Sequence, residues 1–241
     1  MNITTYTATT ALATALALFF AGNGHLATAQ EASPTPTWSC ATMPAASQMP
    51  SMMGTPMAGA GHDMAGVTVE FDQMYIDMML PHHASIIALA QAAQERLTDE
   101  RLQTMASNII TAQSAENEEL HGFREHWYGS AMPMPMDDGM MDMMMQMMPG
   151  MGDMASMRQQ MDPHVLVAAF CAGSDPDLAF IDLVIPHHEM AIRASEAALD
   201  QATHDELRVA AEQVIQVQQA ETDELETIRE ELTGGGTPAA S

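Results

Sequence analysis

The chain has 241 residues, of which 32 are acidic and seven are arginine, with no lysine, so its formal net charge is -25 at pH 7. Such a charge repels nucleic acid and anionic lipid. The sequence holds no phosphate-binding loop, Ser/His/Asp array or basic aromatic patch, so nucleotide, nucleic-acid and acyl-transfer functions have no support. The length suits one domain with tails.

Residues 1–29 predict a secretory signal peptide. An apolar run over residues 11–21 is too short to span a membrane, and residues 27–29, Ala-Thr-Ala, form a small-x-small cleavage pattern. We therefore expect a mature protein from about Gln30 that is periplasmic or secreted and does not insert into a membrane after cleavage.

The segment 30–66 is rich in Pro, Ser, Ala, Gly and Met, and it predicts a flexible Met-rich tail. Residues 234–241 predict a second tail. Cys40 and Cys171 are the only cysteines, and an oxidising compartment favours a disulfide between them. A pair of thiolate metal ligands is the alternative.

Residues 67–128 predict a helical hairpin. Apolar residues recur at helical spacing before and after a short turn at 98–100 that has N-cap character. Pro81 falls within the first helix, which either bends there or begins there. We favour the bend, because the apolar period starts before the proline.

Residues 129–174 predict a long, disordered crossover, since few branched or aromatic residues are available for burial. Fourteen of the 26 methionines lie between residues 132 and 161. Thioether sulfur is soft and neutral, so closely spaced methionines in a flexible loop predict a trap for copper(I) or silver(I). A plastic surface for a partner and a sink for oxidants are the alternatives. The candidate ligands in this segment are Met132, Met134, Met136, Met140, Met141, Met143, Met144, Met145, Met147, Met148 and Met151.

Residues 175–233 repeat the first hairpin at an offset of 105 positions. The stretch YIDMMLPHH that ends at His83 aligns with FIDLVIPHH that ends at His188, and the register holds without a gap as far as Arg124 and Arg229. Two related hairpins can cover each other's apolar faces. The sequence therefore predicts an all-α, four-helix bundle with pseudo-two-fold symmetry.

Each repeat carries Pro-His-His. We expect these imidazoles to converge across the pseudo-dyad, with a glutamate approaching from each second helix. Imidazole suits several first-row metals, and the Met-rich segments favour copper(I). Hydrogen-bonded core histidines are the alternative. The candidate metal ligands of this cluster are His82, His83, His187, His188, Glu116, Glu221, Met78 and Met190.

The duplicated F/Y-I-D-x-x-x-P-H-H motif, followed at a fixed distance by Gln-x-x-Glu, resembles the DUF305 family over residues 71–126 and 176–231. The resemblance implies a ferritin-like four-helix fold and a role in copper(I) and silver(I) binding or resistance. Methionines and histidines would be the ligands. It points to the four Pro-His-His histidines and, in the first repeat, to Met78 and Met79. Leu183 and Val184 stand at the corresponding places of the second repeat.

The resulting expectation is an exported, non-enzymatic protein that sequesters, buffers or transfers copper(I) and silver(I), with copper efflux or transport proteins as partners. One alternative is a ferritin-like di-iron oxidase or peroxide-handling enzyme. Glu118-x-x-His121 fits the Glu-x-x-His pattern of that class, but its counterpart from Asp223 to Glu226 lacks the imidazole. Another alternative is a partner-binding helical module without metal.

Overall fold

A computed structural model of the chain describes residues 38–41, 69–148 and 150–234. The predicted signal peptide, nearly all of the Met-rich tail and all but the first residue of the C-terminal tail lie outside these ranges. Within them every regular element is an α-helix, which confirms the all-α class.

Seven helices follow one another along the described chain. They are α1 (Phe71–Ala93), α2 (Glu100–Tyr128), α3 (Asp138–Met147), α4 (Met154–Met161), α5 (Pro163–Ala172), α6 (Pro176–Gln201) and α7 (Asp205–Leu232). The long helices pair as the hairpins α1–α2 and α6–α7, and the hairpins meet mainly along α1 and α6. Helices α4 and α5 pack on α1.

Both interior prolines lie well inside their helices. Helix α1 starts at Phe71 and continues past Pro81, and α6 starts at Pro176 and continues past Pro186. The alternative of a helix that begins at Pro81 is therefore wrong. Each proline removes one backbone N–H from the ladder, but packing of the flanking turns keeps the helix intact.

A carboxylate at the start of each repeat caps the interhelical turn of the other repeat. Asp177 accepts hydrogen bonds from the backbone N–H groups of Thr98 and Asp99 and from the Thr98 hydroxyl. Asp72 accepts the equivalent bonds from Thr203 and from the backbone N–H that follows it. Because the paired residues are 105 positions apart, these reciprocal contacts show the pseudo-two-fold relation of the hairpins.

The crossover is helical, so the expectation of disorder is wrong. Asp137, Asp153 and Asp162 each accept a hydrogen bond from the first turn of α3, α4 and α5. Methionine is a good helix former, and its flexible side chain fills irregular gaps. The methionines therefore supply the apolar face that branched residues do not. The buried residues of this face are Met140, Met141, Met144, Met148, Met151 and Met157.

The predicted disulfide is confirmed. Cys40 is bonded to Cys171, with 5.5 Å between their Cα atoms, so the short segment 38–41 is attached to the end of α5. Arg96 donates a hydrogen bond to the carbonyl oxygen of Cys171 and lies 5.3 Å from the centre of the Phe170 ring. The alternative of two thiolate ligands is excluded.

The buried apolar residues form two clusters of different chemistry. The thioether cluster contains ten buried methionines together with alanines, aromatic residues and six branched aliphatic residues. The aliphatic cluster contains Met105 but is otherwise built from branched aliphatic, alanine and phenylalanine side chains. The methionines of the thioether cluster come from α1, α3, α4, α6 and the turn after α3: Met74, Met78, Met79, Met140, Met141, Met144, Met148, Met151, Met157 and Met190.

Candidate metal centre

Each of the four long helices contributes one half to the thioether cluster and the other half to the aliphatic cluster. In α1 the thioether cluster ends at Leu80 and the aliphatic cluster begins at Ile86, whereas in α6 the aliphatic cluster ends at Ile185 and the thioether cluster begins at Met190. The opposite order shows that α1 and α6 run antiparallel. Between the clusters lies a polar layer made of His82, His83, Gln113, Glu116, His187, His188, Gln218 and Glu221.

The histidines of this layer meet across the pseudo-dyad. The rings of His82 and His187 are stacked, with 3.6 Å between their centroids. His83 lies 6.1 Å from His82, and His188 lies 6.4 Å from His187, measured between ring centroids. All four residues are 0% exposed. The expected convergence is therefore present, and its centre is the pair formed by His82 and His187.

Most nitrogen atoms of these imidazoles lack a hydrogen bond within the described residues. Neither nitrogen of His82 or His83 has one, nor has Nδ1 of His187 or His188. The side-chain amides of Gln113 and Gln218, which are also buried, lack partners as well. An unsatisfied buried polar group costs about 1–3 kcal/mol. A layer with several such groups therefore has donor atoms that folding alone does not use.

The remaining imidazole nitrogens have partners from neighbouring helices. His187 Nε2 lies 3.0 Å from Ser85 Oγ, and His188 Nε2 lies 2.7 Å from a carboxylate oxygen of Glu221. The equivalent pair in the first repeat, His83 Nε2 and Glu116 Oε2, is 3.5 Å apart and forms no hydrogen bond. The predicted approach of both glutamates is thus present, and it is closer in the second repeat.

Burial keeps His82, His83 and His187 neutral. It lowers the pKa of His83 to about 3, an effect that the Asn117 side chain opposes and nearby His188 reinforces. Burial also lowers the pKa values of His82 and His187 well below the usual range, and the neighbouring histidines lower them further. A neutral imidazole has a lone pair for a metal ion, so at neutral pH these rings need not lose a proton before they bind.

The pKa of Glu116 moves in the opposite direction. Burial first, and then the charges of Glu221 and Glu119, raise it to about 7. A cation bound nearby would favour the ionised carboxylate and so lower the pKa of Glu116 again.

The bundle methionines predicted as ligands border the polar layer. Met78, Met79 and Met190 are all buried in the thioether cluster. Met78 lies one helical turn before His82, and Met190 lies one turn after His187, on helices that run in opposite directions. These thioethers and imidazoles belong to the same buried region at the centre of the molecule.

The crossover methionines are not the freely mobile ligands that the sequence suggested. Met140, Met141, Met144, Met148 and Met151 are buried in the thioether cluster because α3 packs its apolar face inward. Met132 is 73% exposed and stands apart. A third group is partly buried against the same cluster: Met134, Met136, Met143, Met145 and Met147.

The donor set fits a soft ion better than a hard one. Within the described ranges, no three His, Cys, Asp or Glu side chains are grouped so that they could hold a metal by themselves. Imidazole and thioether together suit copper(I) and silver(I), whereas calcium and magnesium require several oxygen ligands. A site in this region would thus need methionine sulfur beside the imidazoles.

The Glu-x-x-His motif of the di-iron alternative does not contribute to the polar layer. Glu118 is exposed on α2. His121 Nδ1 lies 2.7 Å from the carbonyl oxygen of Ala131, where it helps to hold the turn after α2. The Glu-x-x-His motif on which the di-iron alternative depended therefore lies outside the polar layer.

The helical spacing placed Gln113 and Gln218 on the apolar faces of the second helices, and both are buried within the polar layer. Sequence reasoning missed two other features of this region. It overlooked Ser85 as a partner of His187, for which the sequence contains no signal. It also overlooked the reciprocal caps formed by Asp72 and Asp177. These two aspartates are themselves 105 residues apart, and each precedes the Pro-His-His motif of its repeat.

Two repeated helical hairpins that enclose a layer of buried imidazoles define an all-α protein with an internal polar centre. The chain belongs to the DUF305 family, a domain of unknown function, which matches residues 72–229. The resemblance inferred from the sequence is therefore confirmed.

Solved structures show the same fold. CopM in its Cu(I)-bound form has 23% identity and a TM-score of 0.52, covering 67% of this chain and 96% of CopM. CopM in an Ag-bound form has 24% identity and a TM-score of 0.52, with 66% and 96% covered. A DUF305 protein from Streptomyces coelicolor has 20% identity and a TM-score of 0.53, with 71% and 98% covered. No curated protein sequence matches the chain.

None of the helices in the described ranges is both long and apolar enough to cross a membrane.

Proposed function

We propose that the protein binds copper(I) and silver(I) in the polar layer, with His82 and His187 at the centre of the site. The observation that carries this proposal is the set of buried, neutral imidazoles with unpartnered nitrogens at the border of a thioether cluster. Met78, Met79 and Met190 lie one helical turn from them along α1 and α6. His83, His188, Glu116 and Glu221 complete the proposed surroundings of the ion.

The similarity to CopM supports the choice of ion. That protein has been solved in Cu(I)-, Cu(II)- and Ag-bound forms. In the present chain the abundance of thioether sulfur favours the monovalent ions over copper(II), because soft neutral donors stabilise the reduced metal.

The proposed biological role is sequestration, buffering or transfer of these ions in copper resistance, without catalysis. Export to the periplasm or the exterior is part of the proposal, and the disulfide between Cys40 and Cys171 supports it, because such bonds persist in oxidising compartments. Copper efflux or transport proteins are the proposed partners. The pairing of the long helices supports a ferritin-like four-helix bundle.

The experiment compares the wild type with a His82→Leu/His187→Leu double variant under anaerobic competition with a chromophoric copper(I) chelator. We expect the affinity of the tightest site to fall by about 100-fold or more, since loss of even an outer-shell partner weakens metal sites by 10–100-fold. The melting temperature of the metal-free variant should be unchanged or higher, because three of the four ring nitrogens that the exchange removes have no hydrogen bond.

Substitution of His126, an exposed histidine near the end of α2, by leucine is the matched control and should leave the affinity unchanged. Unchanged copper(I) affinity in the double variant, together with a loss of stability, would instead identify His82 and His187 as structural core residues.

A further inference from the structure

A cleft of about 1090 Å³ opens beside the polar layer. It lies between α1, the extended segment before α3, and α4. Five methionines line it: Met134, Met136, Met141, Met154 and Met161. Met154 and Met161 stand at the two ends of α4. The cleft is therefore the solvent-open edge of the thioether cluster, because Met141 belongs to that cluster and the other four methionines pack against it.

The floor of the cleft adjoins the histidines. Pro81 lines it and directly precedes His82 in α1. On the α4 side, the carbonyl oxygen of Gln160 accepts a hydrogen bond from Ser85 Oγ, which in turn lies 3.0 Å from His187 Nε2. A single serine hydroxyl thus connects the α4 backbone beside Met161 to an imidazole of the stacked pair.

The imidazoles themselves cannot capture an ion from solvent. All four are fully buried, so an ion has to pass through one of the neighbouring openings before it can reach them. The net charge of the chain raises the concentration of cations near the surface but does not select among them. Selection at the opening requires donors of the appropriate softness.

We infer that the methionine-lined cleft is the loading site through which a monovalent soft ion, copper(I) or silver(I), reaches the polar layer. This inference rests on the proposed function of that layer. The ion first exchanges its external ligands for thioethers of the cleft, and it then passes to the imidazoles where Ser85 releases His187. No covalent or redox change is involved, because both donor sets are neutral and the ion keeps its charge.

A second opening offers a competing route. A pocket of about 340 Å³ is lined by Glu221, Glu224, Arg101 and residues of the first turns of α2, and Glu221 contacts His188. Its lining is carboxylate-rich, with Met105 as the thioether present. Carboxylate oxygens prefer hard cations, so this pocket is the weaker candidate for a soft ion.

The test separates the rate of loading from the final affinity. The cleft variant replaces Met134, Met136, Met154 and Met161 by leucine, which conserves volume and removes only the sulfur. Stopped-flow absorbance follows the transfer of copper(I) from a chromophoric chelator to full-length protein under anaerobic conditions. We expect transfer to slow by about tenfold or more, since loss of even an outer-shell partner weakens metal sites by about 10–100-fold. The equilibrium affinity of the tightest site should remain that of the wild type.

Two controls make the result specific. Met132→Leu removes an exposed sulfur outside the cleft, and Glu224→Gln alters the competing pocket; both should load at the wild-type rate. Single Met154→Leu and Met161→Leu variants provide the same measurement if the quadruple variant is unstable, and each should slow transfer in part.

Wild-type loading in the cleft variants, or slow loading in Glu224→Gln, would overturn the inference while leaving the proposed function intact. If the proposed function is wrong, the result differs: the copper(I) affinity of the tightest site persists in the His82→Leu/His187→Leu variant.

Discussion

Individual residues of the two repeats occupy equivalent positions but different environments. Asp77 is fully buried and forms a 2.7 Å ion pair with Arg124, whereas Asp182 is 65% exposed and lies 3.8 Å from Arg229. The two aspartates and the two arginines are related by the same 105-residue offset. The duplication therefore provides an internal control for the energetic effect of burial.

We predict that Asp77→Asn lowers the free energy of unfolding by about 3–5 kcal/mol, because it leaves a buried guanidinium without its counter-charge. Asp182→Asn should change it by less than about 1 kcal/mol, as is usual for exposed pairs. Urea unfolding of both variants measures the difference. Equal losses would show that the environment of the pair does not determine its contribution.

The Asp72 carboxylate makes the stability of the hairpin contact depend on pH. Burial alone would raise its pKa, but hydrogen bonds from Thr203 and His204 outweigh burial and lower the pKa below the ordinary value of an aspartate. A depressed pKa means that the stabilisation is complete above the unfolded-state pKa and is lost as the pH falls through the folded-state value.

Asp72→Asn is therefore expected to destabilise the protein by about 2–3 kcal/mol at pH 6, the usual contribution of hydrogen bonds to a charged group. The deficit relative to the wild type should shrink as the pH falls below about 4, the pKa of an unfolded aspartate, and on through the lower folded-state pKa. Urea unfolding between pH 3 and pH 7 measures it, with Asp205→Asn, whose side chain is 94% exposed, as the control. A deficit that stays constant over this range would contradict the assignment.

At the scale of secondary-structure elements, α3 shows that part of the methionine-rich crossover is a packed helix and not a mobile loop. Its buried methionines lie at i, i+1 and i+4, counted from Met140, and the buried C-cap residue Met148 follows at i+8, so this face packs against the rest of the thioether cluster. The side chain of Gln201 at the end of α6 donates a hydrogen bond to the carbonyl oxygen of Met147. Helix α3 is thus part of the packed structure, and its deletion would disturb folding.

Met144, which is completely buried in α3, distinguishes a packed helix from a mobile loop. We predict that Met144→Ala lowers the free energy of unfolding by about 2–5 kcal/mol, through lost burial and the cavity it leaves. Met132→Ala, at an exposed position, should change it by no more than about 0.5 kcal/mol. Thermal and urea unfolding of metal-free protein provide the comparison, and a neutral Met144→Ala would favour the mobile loop.

At the scale of the whole molecule, the sequence was sufficient wherever periodicity carried the information. The 105-residue repeat and the helical spacing around Pro81 and Pro186 predicted two hairpins, and they predicted that the Pro-His-His motifs would meet. The repeat could not show which imidazoles meet, because His82 and His83 point in different directions from one helix. That choice depends on how α1 crosses α6, which is a property of packing.

The crossover was mispredicted for a physical reason. Its low content of branched and aromatic residues resembles a disordered segment, but methionine both favours helix and fills space, so it satisfies the requirements of a core. The aspartate caps at Asp137, Asp153 and Asp162 were visible in the sequence and would have indicated three helix starts. The division of the core into thioether and aliphatic clusters required the three-dimensional structure.

The most direct measurement of the central claim is X-ray absorption spectroscopy of protein loaded anaerobically with one equivalent of copper(I). We expect a first coordination shell that contains both imidazole nitrogen and thioether sulfur, and loss of the nitrogen contribution in the His82→Leu/His187→Leu variant. A shell of sulfur alone in the wild type, or a spectrum that the double variant leaves unchanged, would contradict the proposed site.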